Sequence, residues 1–315
     1  MKERYAREII NGFPYPIATV FIRLRTDECM DPGPLRLKYL LATGEAIARF
    51  LGVITLCECR RVLEQGEVAP PKSLAANFKA QFSRPSWGIW LQFVREGSRW
   101  LADNDVTPTI TELPGFLFTG SGKESDAARA MAELLTVRNG LSHEKLKALH
   151  PGEFRQLCDR VTPLLEEVLE GLDFLLDYEL KFVSAIEVLK PRRRDAAFRH
   201  RFKRIIGSSD DFHGDRHTMP AFHDSTAIIL ASLEGGHSLN LDPLLIHEEN
   251  AGKAPDIFFY NGMKASDKAE YAACKHGGNF TATDLEPERA GEIGDELAAF
   301  VALFGTPQEE NGHDH

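Results

Sequence analysis

Arg138-Asn139-Gly140-Leu141-Ser142-His143 brings a guanidinium, a carboxamide and an imidazole into one short stretch. Histidine is the side chain that gives and takes a proton near neutral pH. Arginine carries a permanent charge on a planar fork that fits a phosphate, where lysine is only a point charge. Such a set suits metal-free cleavage of RNA, whose 2′-hydroxyl supplies the nucleophile. The imidazole moves protons, and the guanidinium meets the negative charge that builds on the phosphate. Asn139 would hold the phosphate or His143. On an unbroken helix, residues five apart point about 140° away from each other. Asn139 and His143 therefore share a face, and Arg138 joins them only through its length or through a loosening at Gly140. Arg-Asn followed by His at this fixed spacing is expected by chance only about 0.02 times in a chain of this composition. Looser Arg–His pairs such as Arg194 with His200 or Arg216 with His223 carry no such weight. A purely structural alternative stands beside this reading. Asn-Gly ends a helix, Ser142 caps the next with Glu144 in its first turn, and Arg138 is a helix C-terminal cation.

The same residues resemble the signature of the HEPN superfamily, an Arg followed by a polar residue and, a few positions on, a His. The resemblance covers about residues 34–180. It implies a bundle of four or five helices with the motif near the end of a helix in the second half. It also implies a metal-independent endoribonuclease that needs no cofactor. His143 would be the general acid or base, Arg138 the charge stabiliser and Asn139 the positioner. The products would be a 2′,3′-cyclic phosphate and a 5′-hydroxyl. Pairing of two bundles lets two motifs line one cleft, so a homodimer is expected. Toxin–antitoxin or antiphage defence is the expected setting, with RNA as substrate and an antitoxin or an activating defence protein as further partner. The alternative is a non-catalytic HEPN-like subunit that binds RNA, a nucleotide or a protein.

Outside the motif, residues 190–204 hold eight bases against Asp195 alone. If 197–206 is a strand, Arg199, Arg201 and Lys203 share one face and Phe198, His200 and Phe202 the other. With Arg192, Arg193 and Arg194 they form a candidate RNA-binding surface; the alternative is a solvated edge strand whose charges prevent aggregation. His213, His217 and His223 with Asp211, Asp215 and Asp224 cluster in sequence, but Gly214 and Pro220 oppose a metal-binding helix there, and a polar loop is expected. Glu45 flanks an apolar helical stripe; orientation of Arg138 across the bundle is one reading of it, and a simple flanking position is the favoured one. Trp87, Trp90 and Trp100 stand at helical spacing and read as core.

Those residues need elements to hold them. Pro34 fits the first turn of a helix whose apolar face runs from Leu37 to Thr55 and which extends to about residue 65. Further helices are expected from about 86, from about 124 and over 151–178, with Pro163 as a potential kink. The Pro-, Thr- and Gly-rich stretch 103–122 reads as loop. From 181 onward the pattern shifts to short apolar runs at 181–189, 197–206, 226–233, 238–247 and 256–260, which predict antiparallel strands. A final helix is expected over 287–304. The fold class is α+β: an N-terminal helical bundle (1–180), then a β-rich domain with a terminal helix and an acidic tail (181–315).

The formal net charge is −10, yet residues 284–315 carry −8 of it, so the global charge does not argue against an RNA partner. Five cysteines without C-x-x-C spacing oppose a disulfide framework or a cysteine zinc site. No signal peptide and no membrane-length apolar stretch is expected, which makes cytoplasm the default and a membrane partner unexpected.

Overall fold

A computed structural model describes the chain except residues 1, 67, 71, 142, 220–222, 225, 234–237, 249–255, 265–267, 276–278 and 306–315, together with the side chains of His143, Glu144, Met219, Phe280 and Thr283. It is mixed α+β, with helices first, antiparallel sheets after them and a helix at the C-terminal end. The helical part runs α1 (Glu3–Gly12), α2 (Tyr15–Phe21), α3 (Pro34–Glu64), α4 (Lys72–Gln81), α5 (Trp87–Asp103), α6 (Leu113–Leu117), α7 (Asp126–Gly140), α8 (His143–Ala148) and α9 (Pro151–Glu170). Then come β1 (Tyr178–Leu189), β2 (Ala197–Arg204), β3 (Gly214–Met219), β4 (Ile228–Ser232), β5 (Ser238–Asn240), β6 (Leu245–Glu248), β7 (Asp256–Lys264), β8 (Lys268–Ala273), β9 (Asn279–Thr281) and α10 (Pro287–Gly305).

Helix α3 starts at Pro34, where a missing N–H costs nothing, and it is buried on nearly every side from Ala46 to Cys59. Helices α2, α5, α7 and α9 pack around it. Small residues set the closest approaches. A Cβ at Gly52 would lie 2.5 Å from Trp90, and one at Gly97 would lie 2.5 Å from Thr55. The three tryptophans are core residues, as their spacing predicts. Helix α3 is also long and apolar enough to cross a membrane, with a mean hydropathy of 1.6 over its best window, contrary to the expectation that no stretch would be. Of that window, 78% is buried inside the protein. Its Glu58 is fully buried and ion-paired with Arg61 at 2.9 Å.

The five-stranded sheet has the order β3-β2-β1-β4-β5 and the four-stranded sheet β6-β7-β8-β9, all antiparallel. Leu180, Phe182, Ile228, Leu230 and Leu239 belong to the same apolar cluster as the helices. On the opposite face, Val183, Phe202, Ala227 and Ile229 form a small second cluster. The main cluster continues through the second sheet to α10, where Phe78, Phe82, Tyr260, Phe300 and Phe304 stack in one aromatic group.

Several boundaries differ from expectation. Helix α9 ends at Glu170, because Gly171, the 3-10 turn Asp173–Asp177 and the extended backbone of Tyr178 replace its last turns. The expected loop 103–122 contains the short α6. Residues 238–247 are two strands in two different sheets, separated by a turn at Asp242-Pro243-Leu244, where proline has no N–H to continue a ladder.

Candidate functional site

Helix α7 is opened by Ser125, whose hydroxyl accepts from the Ala128 N–H at 3.0 Å. Leu134 and Val137 anchor its far end in the core. The next three residues, Arg138, Asn139 and Gly140, are exposed and complete its last turn. The Leu141 N–H closes the helix on the Arg138 carbonyl at 3.1 Å, and α8 opens at His143. Arg138 and His143 thus do not lie on one continuous helix, and the 140° problem of an unbroken helix does not arise. Arg138 donates to the Asn139 side-chain oxygen at 3.3 Å, which holds guanidinium and carboxamide side by side at the surface. Lys145 donates to the Gly140 carbonyl at 3.3 Å across the corner. The cations sit at the C-terminal end of the α7 dipole, which favours positive charge there. The side chain of His143 and all of Ser142 lie outside the described residues, so the cap expected of Ser142 does too.

Glu45 does not orient Arg138. It is paired with Arg49 one turn along α3, at 2.9 Å.

The second candidate surface takes the alternation expected of it. In β2, His200 and Phe202 are buried, while Arg201 is exposed and Arg199 and Lys203 are half-buried on the other face. The strand is interior, however; β3 is the edge. Glu187 of β1 is ion-paired with Arg199 at 3.5 Å and with Arg201 at 3.1 Å. Arg192, Arg193 and Arg194 are exposed in the β1–β2 turn. The corner and the basic hairpin belong to different parts of the fold. A Cβ on Gly171, just past α9, would touch Ala127, so α7 begins beside the junction that leads to β1. Arg138 lies about 17 Å farther along the helix axis.

The His/Asp cluster resolves differently from a polar loop. Residues 214–219 form the edge strand β3, where His217 pairs with Asp215 at 2.7 Å. His200, fully buried, accepts from the His223 N–H through Nε2 at 3.0 Å. No group of three or more His, Cys, Asp or Glu side chains is placed to hold a metal among the described residues. Burial, and then the neighbouring His200, holds the His223 imidazole below its usual pKa.

Sequence reasoning missed a buried ionic cluster under α10. Asp242 is almost wholly buried, and its Oδ1 has no hydrogen-bond partner among the described residues. Burial raises its pKa well above the usual carboxylate range, against the pull of nearby Arg289. Arg289 itself bridges Glu248 at 3.1 Å and Glu292 at 3.3 Å. Nothing in the sequence marks Asp242, which sits inside what reads as one strand.

No family profile, no curated protein and no solved structure matches the chain. Assignment of function therefore rests on residues and geometry.

Proposed function

We propose that the chain is a HEPN-like, metal-independent endoribonuclease whose active site is the α7–α8 corner. One observation carries the reading: Arg138 and Asn139 stand exposed and hydrogen-bonded to each other at the end of α7, with the helix broken before His143. A guanidinium presented this way is open to a phosphate, and among the described residues no carboxylate forms an ion pair with it. The packing of α2, α5, α7 and α9 about α3 supports the bundle that the motif resembles, with the motif near the end of a helix in its second half. In this reading Arg138 stabilises charge on the phosphate, Asn139 positions it, and His143 transfers protons. Arg192, Arg193, Arg194, Arg199, Arg201 and Lys203 form a separate basic surface for the RNA backbone. A homodimer, in which two corners share one cleft, and a controlling defence partner belong to the same proposal, as does a cytoplasmic location. The plain structural alternative is favoured by a different observation, that Asn139-Gly140 terminates α7 with Arg138 in its last turn.

Expression in growing cells separates the two. The nuclease reading expects growth arrest that Arg138→Ala and His143→Ala each relieve, with RNA fragments ending in a 2′,3′-cyclic phosphate. Arrest that persists unchanged in both variants contradicts it.

A further inference from the structure

Strand β1 is longer than the strand beside it. Residues 178–182 pair with β4, and Val183 exchanges two further backbone bonds with Ala227 and Thr226, at 2.9 and 3.1 Å. A bulge between Val183 and Ala185 then turns the strand. Beyond it, residues 184–189 keep β2 on one side and have no strand on the other among the described residues. About 17–20 Å of edge is left open.

Exposed edges are usually blunted by charge or proline. One outer edge of the sheet, β3, follows that rule with Asp215, Arg216 and His217, all exposed. The open stretch of β1 does not. It reads Ser184-Ala185-Ile186-Glu187-Val188-Leu189, and the carboxylate of Glu187, its only charge, is engaged by Arg199 and Arg201. Val188 is 65% exposed. The surrounding hairpin is strongly basic: residues 184–204 hold eight bases against Glu187 and Asp195, in a chain whose net charge is −10.

We propose that the open edge of β1 is a docking strand for a partner protein, which adds an extended segment of alternating apolar and acidic residues to the sheet. Backbone hydrogen bonds to residues 184–189 extend the ladder. Apolar side chains of the added strand lie beside Ile186 and Val188 on one face. Its carboxylates, on the other face, flank Glu187 and draw on the guanidiniums of Arg199 and Arg201, which reach from β2 onto β1, with Arg192, Arg193 and Arg194 adding positive potential at the hairpin tip. The open edge stands whether or not the chain cleaves RNA, and a partner seated there competes with RNA for the same guanidiniums.

The test uses the full chain and three labelled seven-residue peptides: alternating glutamate and valine, alternating lysine and valine, and the glutamate peptide with alternate backbone amides N-methylated. Anisotropy is expected to show the glutamate peptide binding at least about tenfold more tightly than either control. Amide exchange is expected to slow at 185–189 when it binds. Val188→Pro should abolish both effects. Should that variant fold poorly, the double reversal Arg199→Glu, Arg201→Glu should weaken binding by about tenfold or more while leaving the edge intact. No binding, equal binding of the N-methylated peptide, or slowed exchange away from 185–189 would overturn the proposal. So would concentration-dependent protection of 185–189 without peptide, which would assign the edge to a second copy. Protection of these amides by an RNA oligonucleotide but not by the peptide would assign it to RNA.

Discussion

His200 is buried, and its Nε2 accepts the backbone N–H of His223 at 3.0 Å. His223 is half-buried, and its folded-state pKa lies below its usual value because of burial first and His200 second. A histidine depressed on folding contributes stability that is present above its unfolded pKa of about 6.5 and is lost as pH falls from there through the lower folded-state value. The charged or titratable groups acting on His223 are His200 and Asp224, and the Ser238 hydroxyl lies 3.5 Å from its Nε2. Acidification from pH 7.5 to 5.5 should therefore increase amide exchange around 223–227 before the rest of the fold responds, and His200→Gln should flatten that response. Asp242 behaves in the opposite sense. Its carboxyl is raised on folding, so the folded state holds its proton more tightly than the unfolded state, and stability falls as pH rises above about 4. Asp242→Asn should raise the Tm at pH 8 and leave it nearly unchanged at pH 4. A Tm lowered equally at both values would contradict this account of Asp242.

At the scale of elements, two glycines in helices lead to opposite outcomes. Gly52 faces Trp90 across the α3–α5 contact, and a Cβ there would sit 2.5 Å from Trp90 Cε3. Gly52→Ala should destabilise by about 1–3 kcal/mol through overpacking. A Cβ at Gly140 meets nothing within 4 Å, and the residue keeps ordinary helical backbone. Gly140→Ala should stabilise the end of α7 by up to about 0.5–1 kcal/mol. Denaturant unfolding of both variants measures the contrast. The elements most legible in the sequence were those with a clear start and a sustained period, such as α3 with Pro34 at its first turn and β2 with its alternating Phe and Arg. Short elements stabilised by tertiary packing were not legible. Helix α4 gains its place from Phe78 stacked on Phe82 and Phe304, and β3 is a mostly polar edge whose hydrogen bonds come from β2. At the candidate site, a helix end at Asn139-Gly140 was one of two readings the sequence allowed, beside a helix only loosened at Gly140. What the sequence could not locate was the place of the corner relative to the basic hairpin, because that depends on how α7 packs against α9.

For the whole molecule, one apolar cluster runs from Ala6 in α1 to Phe304 in α10, crossing residue 180, where the pattern changes from helix to strand. Helices and sheets that share a core should unfold together. Calorimetry is expected to show one cooperative transition, and two separated transitions would mean that the halves fold independently despite their common core. The charge is divided on this scale as well. The basic hairpin and the Arg138 corner stand out on an acidic protein, so any RNA affinity should fall steeply with salt through those local patches. The most direct measurement incubates labelled RNA in EDTA with the purified protein and with its Arg138→Ala and His143→Ala variants. The account predicts cleavage by the parent that survives the chelator and falls at least about a hundredfold in each variant. Equal cleavage by all three proteins, or loss of cleavage in EDTA, would contradict it.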